Sequence, residues 1–188
     1  HLVVLPTTLV FNWEKEIKKF TKDIKTHFHT GVKRLKNSKK FENFNLIVTT
    51  YGVLLNDIDF IKDFKFKYAI LDESQLIKNP SSKRYKAAIL INAKNRIAMT
   101  GTPIENNTFD LYAQMNFVNP GFLGSQRDFR EDYSLPIDRD RNELRAKDLH
   151  KLINPFILRR TKTQVATELP PKIEDVLYCE MEAEQLKV

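Results

Sequence analysis

Short apolar runs that each give way at once to hydroxyl, glycine or acidic residues constrain this chain most. Leu2 to Leu5, Leu46 to Thr50, Tyr68 to Leu71 and Arg96 to Thr100 read as buried strands of four to five residues, and His27 to Thr30 adds another. Strands that stay apolar along their length, rather than alternating with polar residues, belong to a parallel sheet covered on both faces. Helical patterns fall between them. Trp13, Ile17 and Phe20 recur at helical spacing behind an entry at Thr7 or Thr8. Ile58, Ile61 and Phe64 mark a second, shorter helix, and Asn79-Pro80-Ser81-Ser82 opens a third with Tyr85, Ala88 and Ile89 on its buried side. Strand and helix in alternation predict a doubly wound α/β sheet.

Beyond about Asn106 the pattern turns helical. Phe109, Tyr112 and Met115 share a face, Ser125 to Tyr133 follows, and Glu143 to Asn154 is stopped by Pro155. The expected organisation is therefore a sheet lobe over 1–106 and a helical protrusion with its return over 107–168. Pro170-Pro171 then opens a linker and the start of a further lobe over 169–188.

With 188 residues, 41% hydrophobic and 29% charged, the chain can bury a full core and is not of disordered composition. No apolar run approaches the roughly 20 residues of a membrane-spanning helix, so no membrane partner is expected. The single cysteine, Cys179, rules out an internal disulfide and a cysteine-cluster zinc site. A net charge of +7 fits a polyanionic partner without demanding one.

Chemistry concentrates where the apolar runs end. In open parallel sheets ligands sit beyond the carboxyl ends of the strands, which is where Asp72 and Glu73 fall. There Asp72 suits a water-coordinated magnesium ion, and Glu73 suits the orienting and deprotonation of a water that attacks a terminal phosphate. An acidic turn that merely caps a strand is the plain alternative. Thr100 and Thr102 flank Gly101 at the next strand end, where their hydroxyls can bond to the acidic pair or simply shape a turn. Pro6-Thr7-Thr8 and Thr49-Thr50 place paired threonines just after strands, suited to phosphate oxygens or to helix capping. Arg159, Arg160 and Lys162 put three cations within four residues, able to clamp phosphate or to form interdomain salt bridges.

Taken in order, LPTTLVFNWEKE, TTYGVL, LDESQLIKN, MTGTPIEN, PFILRRTK and ELPPK resemble the Swi/Snf-type ATPases of helicase superfamily two, from about Leu2 to Lys172. The resemblance implies most of a first RecA-like lobe, a P-loop-containing NTPase fold without its P-loop strand, carrying a helical insertion. It implies a parent enzyme that uses ATP and Mg2+ to pull along double-stranded DNA, touching the DNA backbone and acting on a protein bound there. Asp72 and Glu73 match the magnesium and water-activating acids, and Gln75 holds the fourth place of that motif, where many relatives have histidine. Thr100, Gly101 and Thr102 match the segment that couples hydrolysis to movement. Pro6, Thr7, Thr49 and Thr50 match DNA-backbone contacts, and Arg159 and Arg160 match the arginine pair after the protrusion, with an interlobe or phosphate role.

Two departures qualify that likeness. No G-x-x-x-x-G-K-[ST] sequence occurs in the chain, and no second RecA-like lobe follows to supply an arginine finger. The expectation is a fragment that is inactive alone, binds no nucleotide or metal by itself, and exposes a sheet edge through which it self-associates. A non-catalytic DNA-binding or protein-interaction module is the alternative function. The abundance of lysine, asparagine and isoleucine points to an AT-rich bacterial genome, hence a cytoplasmic, nucleoid-associated protein rather than a nuclear one.

Overall fold

Five parallel strands form one sheet in the order β2-β3-β1-β4-β5. The computed structural model describes residues 1–101, 108–160 and 164. The strands are β1 (Leu2–Leu5), β2 (Thr26–His29), β3 (Leu46–Thr50), β4 (Phe66–Leu71) and β5 (Ala93–Ala98). The helices are α1 (Val10–Phe20), α2 (Tyr51–Ile61), α3 (Lys83–Ile89), α4 (Phe109–Val118), α5 (Gln126–Phe129), α6 (Leu135–Asp138) and α7 (Glu143–Ile153).

Strand order dictates which face each helix covers. The connection from β1 to β2 travels one way along the sheet, and those from β3 to β4 and from β4 to β5 travel the other way. Parallel crossovers are right-handed, so α1 must lie on one face and α2 and α3 on the opposite one. The central strand β1 serves both faces because successive side chains alternate. Its Val3 and Leu5 join Val48 under Val10, Trp13 and Ile17 of α1. Its Leu2 and Val4 join Ile47, Ala69 and Leu71 under Leu54, Ile58 and Ile61 of α2, Ala87 and Ala88 of α3, and Ala113 and Phe117 of α4.

Details differ from the sequence expectation. β5 begins at Ala93, so Arg96 lies within the strand and not at its start. Its guanidinium donates to the carbonyls of Ile89 (3.3 Å), Ile91 (2.7 Å) and Phe117 (3.2 Å), collecting unpaired carbonyls near the ends of α3 and α4. Phe20 does not join the buried face of α1 but is 71% exposed. Neither Thr7 nor Thr8 caps α1, which continues from a 3-10 turn over Thr7–Leu9 with no side-chain cap. The helix expected from Ser125 to Tyr133 starts at a capping box made by Ser125 and Asp128, then widens into a π turn over Arg130–Ser134 before α6.

Compactness divides the chain into His1–Leu149 and His150–Val188, not at Asn106. The reason is α4, which lays Ala113 and Phe117 into the sheet's core. The second unit contains the end of α7, the 3-10 turn Asn154–Phe156 and the segment with Arg159 and Arg160. The expected linker at Pro170-Pro171 lies outside the described residues. No helix among the described residues is long and apolar enough to cross a membrane.

Candidate functional site

All five strands run the same way, so their carboxyl ends share one edge of the sheet, and Pro6, Thr50, Asp72 and Thr100 all fall along it. Asp72 continues the ladder, its N–H donating to the Val4 carbonyl at 2.8 Å. The chain then turns sharply. Glu73 sits in the left-handed region at φ 49°, ψ 53°, unusual for a residue with a side chain. That turn returns the Ser74 N–H to the Met99 carbonyl (2.9 Å), while the Ser74 hydroxyl donates to Gln114 Oε1 of α4 (2.8 Å). Strain of this kind costs on the order of 1–3 kcal/mol, and these bonds hold it in place.

The Asp72 carboxylate has a donor on each oxygen. Oδ1 accepts from the Glu73 N–H at 3.0 Å and Oδ2 from Trp13 Nε1–H at 2.7 Å. Its backbone carbonyl accepts from the Tyr51 hydroxyl at 2.8 Å. Burial, then the Asp72 and Glu73 charges, hold the Tyr51 phenol far above its ordinary value, so it stays a donor. From Glu73 a polar chain runs onward. Gln75 Nε2 donates to Glu73 Oε2 (2.8 Å), and the Thr100 hydroxyl donates to Gln75 Oε1 (2.7 Å). The hydroxyl after β5 therefore reaches the acidic pair through Gln75. Gly101 follows directly, and Thr102 lies outside the described residues.

The two threonine segments separate. Pro6 is half-buried and Thr7 exposed at the strand edge. Thr49 is fully buried, and its hydroxyl donates to the His29 carbonyl at 3.0 Å, so in this structure it offers nothing to a phosphate. Thr50 is nearly as buried and caps α2 by accepting from the Val53 N–H at 3.3 Å. The capping alternative describes Thr50, and an interior sheet bond describes Thr49. Arg159 and Arg160 belong to the second unit.

Trp13, Tyr51, Ser74 and Gln114 were missed as site residues. Trp13 and Tyr51 stand inside two of the quoted motifs, yet nothing local in the sequence signals that their polar atoms turn to Asp72. A second polar cluster was missed altogether. The buried His29 ring accepts the Leu35 N–H at Nδ1 (3.0 Å), so Nε2 carries the proton and donates to Asp57 Oδ2 at 2.9 Å. Arg34 Nε donates to that same oxygen at 2.8 Å, and its Nη2 bonds to Asp57 Oδ1.

A metal would find limited protein ligation. No group of three or more His, Cys, Asp or Glu able to hold an ion occurs among the described residues. Asp72 is half-exposed, and each oxygen keeps a lone pair, which fits a magnesium ion carried mainly by water and nucleotide phosphates.

A parallel sheet with an acidic pair beyond β4, bonded through a glutamine to a threonine beyond β5, is an α/β fold with its polar residues gathered at one sheet edge, and comparison with known proteins identifies its family. The SNF2-related domain model matches residues 1–188. The chain belongs to that family. It is 37% identical over 190 residues to the putative ATP-dependent helicase/translocase YwqA of Bacillus subtilis, covering 98% of this chain and 21% of that protein. It is 36% identical over 202 residues to the TATA-binding protein-associated factor BTAF1 of Arabidopsis thaliana, covering 100% of this chain and 10% of that one. Among solved structures, the Sulfolobus solfataricus SWI2/SNF2 ATPase core in complex with dsDNA matches with a TM-score of 0.80 and 41% identity, over 99% of this chain and 39% of that one. The chain thus spans about a tenth to a fifth of these curated relatives.

The expectation of a bacterial, cytoplasmic protein is overturned. TATA-binding protein-associated factors of plant, human and yeasts and a fungal chromatin-remodelling ATPase stand beside a Bacillus protein among its relatives. Lysine, asparagine and isoleucine content reports nucleotide bias, and that carries no information about compartment.

Proposed function

We propose that this chain is the part of an ATP-driven double-stranded-DNA translocase that holds the water-activating acids and couples them to movement. The bonded series Thr100–Gln75–Glu73 beside Asp72 carries this reading. Glu73 is the general base, its carboxylate oriented by Gln75 toward the water that attacks the terminal phosphate. Asp72 would hold, through water, the Mg2+ that accompanies ATP, and that ion supplies neutralisation of developing phosphate charge. Gln75 and Thr100 link the base to the start of the segment with Gly101 and Thr102, so a change at the nucleotide reaches the edge that faces DNA. Pro6 and Thr7 contact duplex backbone there. Arg159 and Arg160 act at the interface with a second lobe or on phosphate.

The sequence holds no phosphate-cradling G-x-x-x-x-G-K-[ST] segment, so the 188 residues alone do not turn over ATP. An absent arginine finger by itself removes roughly 10³ to 10⁵ in rate. Among the described residues β5 pairs with no strand but β4, leaving a sheet edge with Ile97 41% exposed. Through that edge the isolated chain pairs with another copy, and a strictly monomeric sedimentation profile at high concentration would refute this. The protein acted upon is one bound to DNA, a reading in keeping with relatives named as factors associated with the TATA-binding protein.

The test is ATPase activity, with and without duplex DNA, of a motor containing this chain together with a phosphate loop and a second lobe. DNA-stimulated turnover should appear and should fall at least about 10²-fold in Glu73→Gln. A folded, nucleotide-binding motor with no DNA-stimulated turnover would replace this reading with a DNA-binding module.

A further inference from the structure

We infer that Trp13 is a positioning residue for Asp72, tying that carboxylate to the helix that rises from the DNA-facing edge. The inference rests on the proposed hydrolytic role of Asp72 and extends it to a residue 59 positions away. An indole nitrogen can only donate, so the 2.7 Å contact has one reading: Trp13 Nε1–H to Asp72 Oδ2. Bonds to an ionised acceptor are the shorter and stronger kind. Without it, the carboxylate keeps one donor, the Glu73 N–H at 3.0 Å on Oδ1, and is free to rotate about its terminal bond.

The backbone of Asp72 does not need Trp13. Its N–H is fixed by Val4 at 2.8 Å and its carbonyl by Tyr51 at 2.8 Å. The indole therefore sets the direction of the carboxylate, not the path of the chain. Packing alone would not ask for a tryptophan here. Trp13 is half-buried against Val3, Leu5 and Val48, a place that phenylalanine or leucine could also fill. A depression of about 270 Å3 lined by Leu9, Asn12, Trp13, Glu16 and Asp72 lies beside the bond, so the carboxylate is reachable by water and by what water carries.

The position of Trp13 along the chain gives the bond its meaning. α1 follows the exposed turn Thr7–Leu9 directly, and Trp13 lies in its first turn and a half. A helix displaced by phosphate binding at Thr7 carries the indole with it, and the indole carries the carboxylate. This is a second route between the DNA-facing edge and the acidic pair, on the sheet face opposite Gln114 and α4.

Two measurements test it. The chain has a single tryptophan, so the isotope-labelled 188-residue chain gives one indole N–H resonance. That resonance should lie downfield of free tryptophan and move in Asp72→Ala; an indole signal indifferent to Asp72→Ala overturns the contact. In the motor that carries this chain, Trp13→Phe should lower DNA-stimulated kcat roughly tenfold, while KM for ATP and the Kd for duplex stay within about twofold. A tryptophan analogue with oxygen in place of the indole N–H keeps the ring's shape and should reproduce the loss, and tryptophan delivered by the same route should restore activity. Unchanged kcat in both variants overturns the inference, as does a loss shared equally by kcat, ATP affinity and DNA affinity. An unsubstituted motor without DNA-stimulated turnover would instead sink the proposed function and leave the indole resonance to judge the contact.

Discussion

Asp57 offers a direct measure of what holds the carboxyl ends of β2 and β3 in place. It lies in α2, 5% exposed, and receives a bond from His29 and two from Arg34. Asp57→Ala removes the acceptor of a fully buried imidazole N–H, and such an orphaned donor costs about 1–3 kcal/mol. The small void left by the carboxylate raises the total to about 2–4 kcal/mol. Arg34 adds little, because its side chain is 39% exposed and can turn to water. Asp57→Asn is a different perturbation. Its amide oxygen still accepts from His29, so the loss should stay at or below about 1 kcal/mol. Urea unfolding of the chain at pH 7.5, followed by far-ultraviolet circular dichroism, separates the two. For a domain of this size the Ala variant should also melt roughly 5–15 °C lower. Equal losses in the two variants, or an Ala cost below about 0.5 kcal/mol, would refute the argument that the buried N–H sets the magnitude.

The same cluster predicts a pH dependence. Burial, against the opposing pull of Asp57, holds His29 below its ordinary 6.5, and the Leu35 N–H on Nδ1 blocks protonation of that nitrogen. The unfolded ring binds the proton more readily, so the stability is present above pH 6.5 and is lost as pH falls below it, at up to about 1.4 kcal/mol per pH unit. Arg34→Ala removes a positive charge that helps keep His29 neutral, so this slope should shrink; an unchanged slope in urea titrations at pH 5.5 to 7.5 would count against it. Tyr51→Phe removes the bond to the Asp72 carbonyl and should cost about 1 kcal/mol. Because the Tyr51 phenol is raised in the fold, its stability contribution is present below pH 10 and lost above it, and alkaline unfolding should be less steep in the variant. In the motor, Thr7→Ala should weaken duplex binding by a similar factor at every salt concentration, because a neutral hydroxyl releases no counterion, whereas Thr49→Val should not weaken it, since its hydroxyl is spent on the His29 carbonyl; fluorescence anisotropy at several salt concentrations decides.

Much of the fold was legible because both faces of the sheet are covered. Leu2–Leu5 and Leu46–Thr50 were found with their observed bounds, since a strand buried on both sides writes itself as an unbroken apolar run. β5 was harder. As the edge among the described residues, its pattern of Ala93-Lys94-Asn95-Arg96-Ile97-Ala98 is only half-buried, and its start was misplaced. The place of Asp72 and Glu73 beyond β4 was legible because an apolar run ends there, and Gln75 stood out only through family resemblance. That Gln75 bridges Glu73 to Thr100 depends on tertiary structure, because β4 and β5 must first lie side by side.

The threonine pairs show the limit most clearly. Thr49 and Thr50 look equivalent in sequence, two hydroxyls at the end of an apolar run. One bonds into the sheet and the other caps α2, because β3 is held between β2 and β1 and its side chains alternate between faces. Strand order is not written in any local pattern. It also put Trp13 of α1 against Asp72, and His29 of β2 against Asp57 of α2.

Local sequence determined which segments become strands and helices and where charge collects, because burial period, capping residues and acid placement act over a few residues. Which polar atoms meet was decided only when the five strands took their order, for right-handed crossovers then sent α1 to one face and α2 and α3 to the other, where α4 also packs. Bonds such as Trp13 to Asp72 join residues that no short-range rule connects, and they exist because the sheet brings the ends of its strands to one edge.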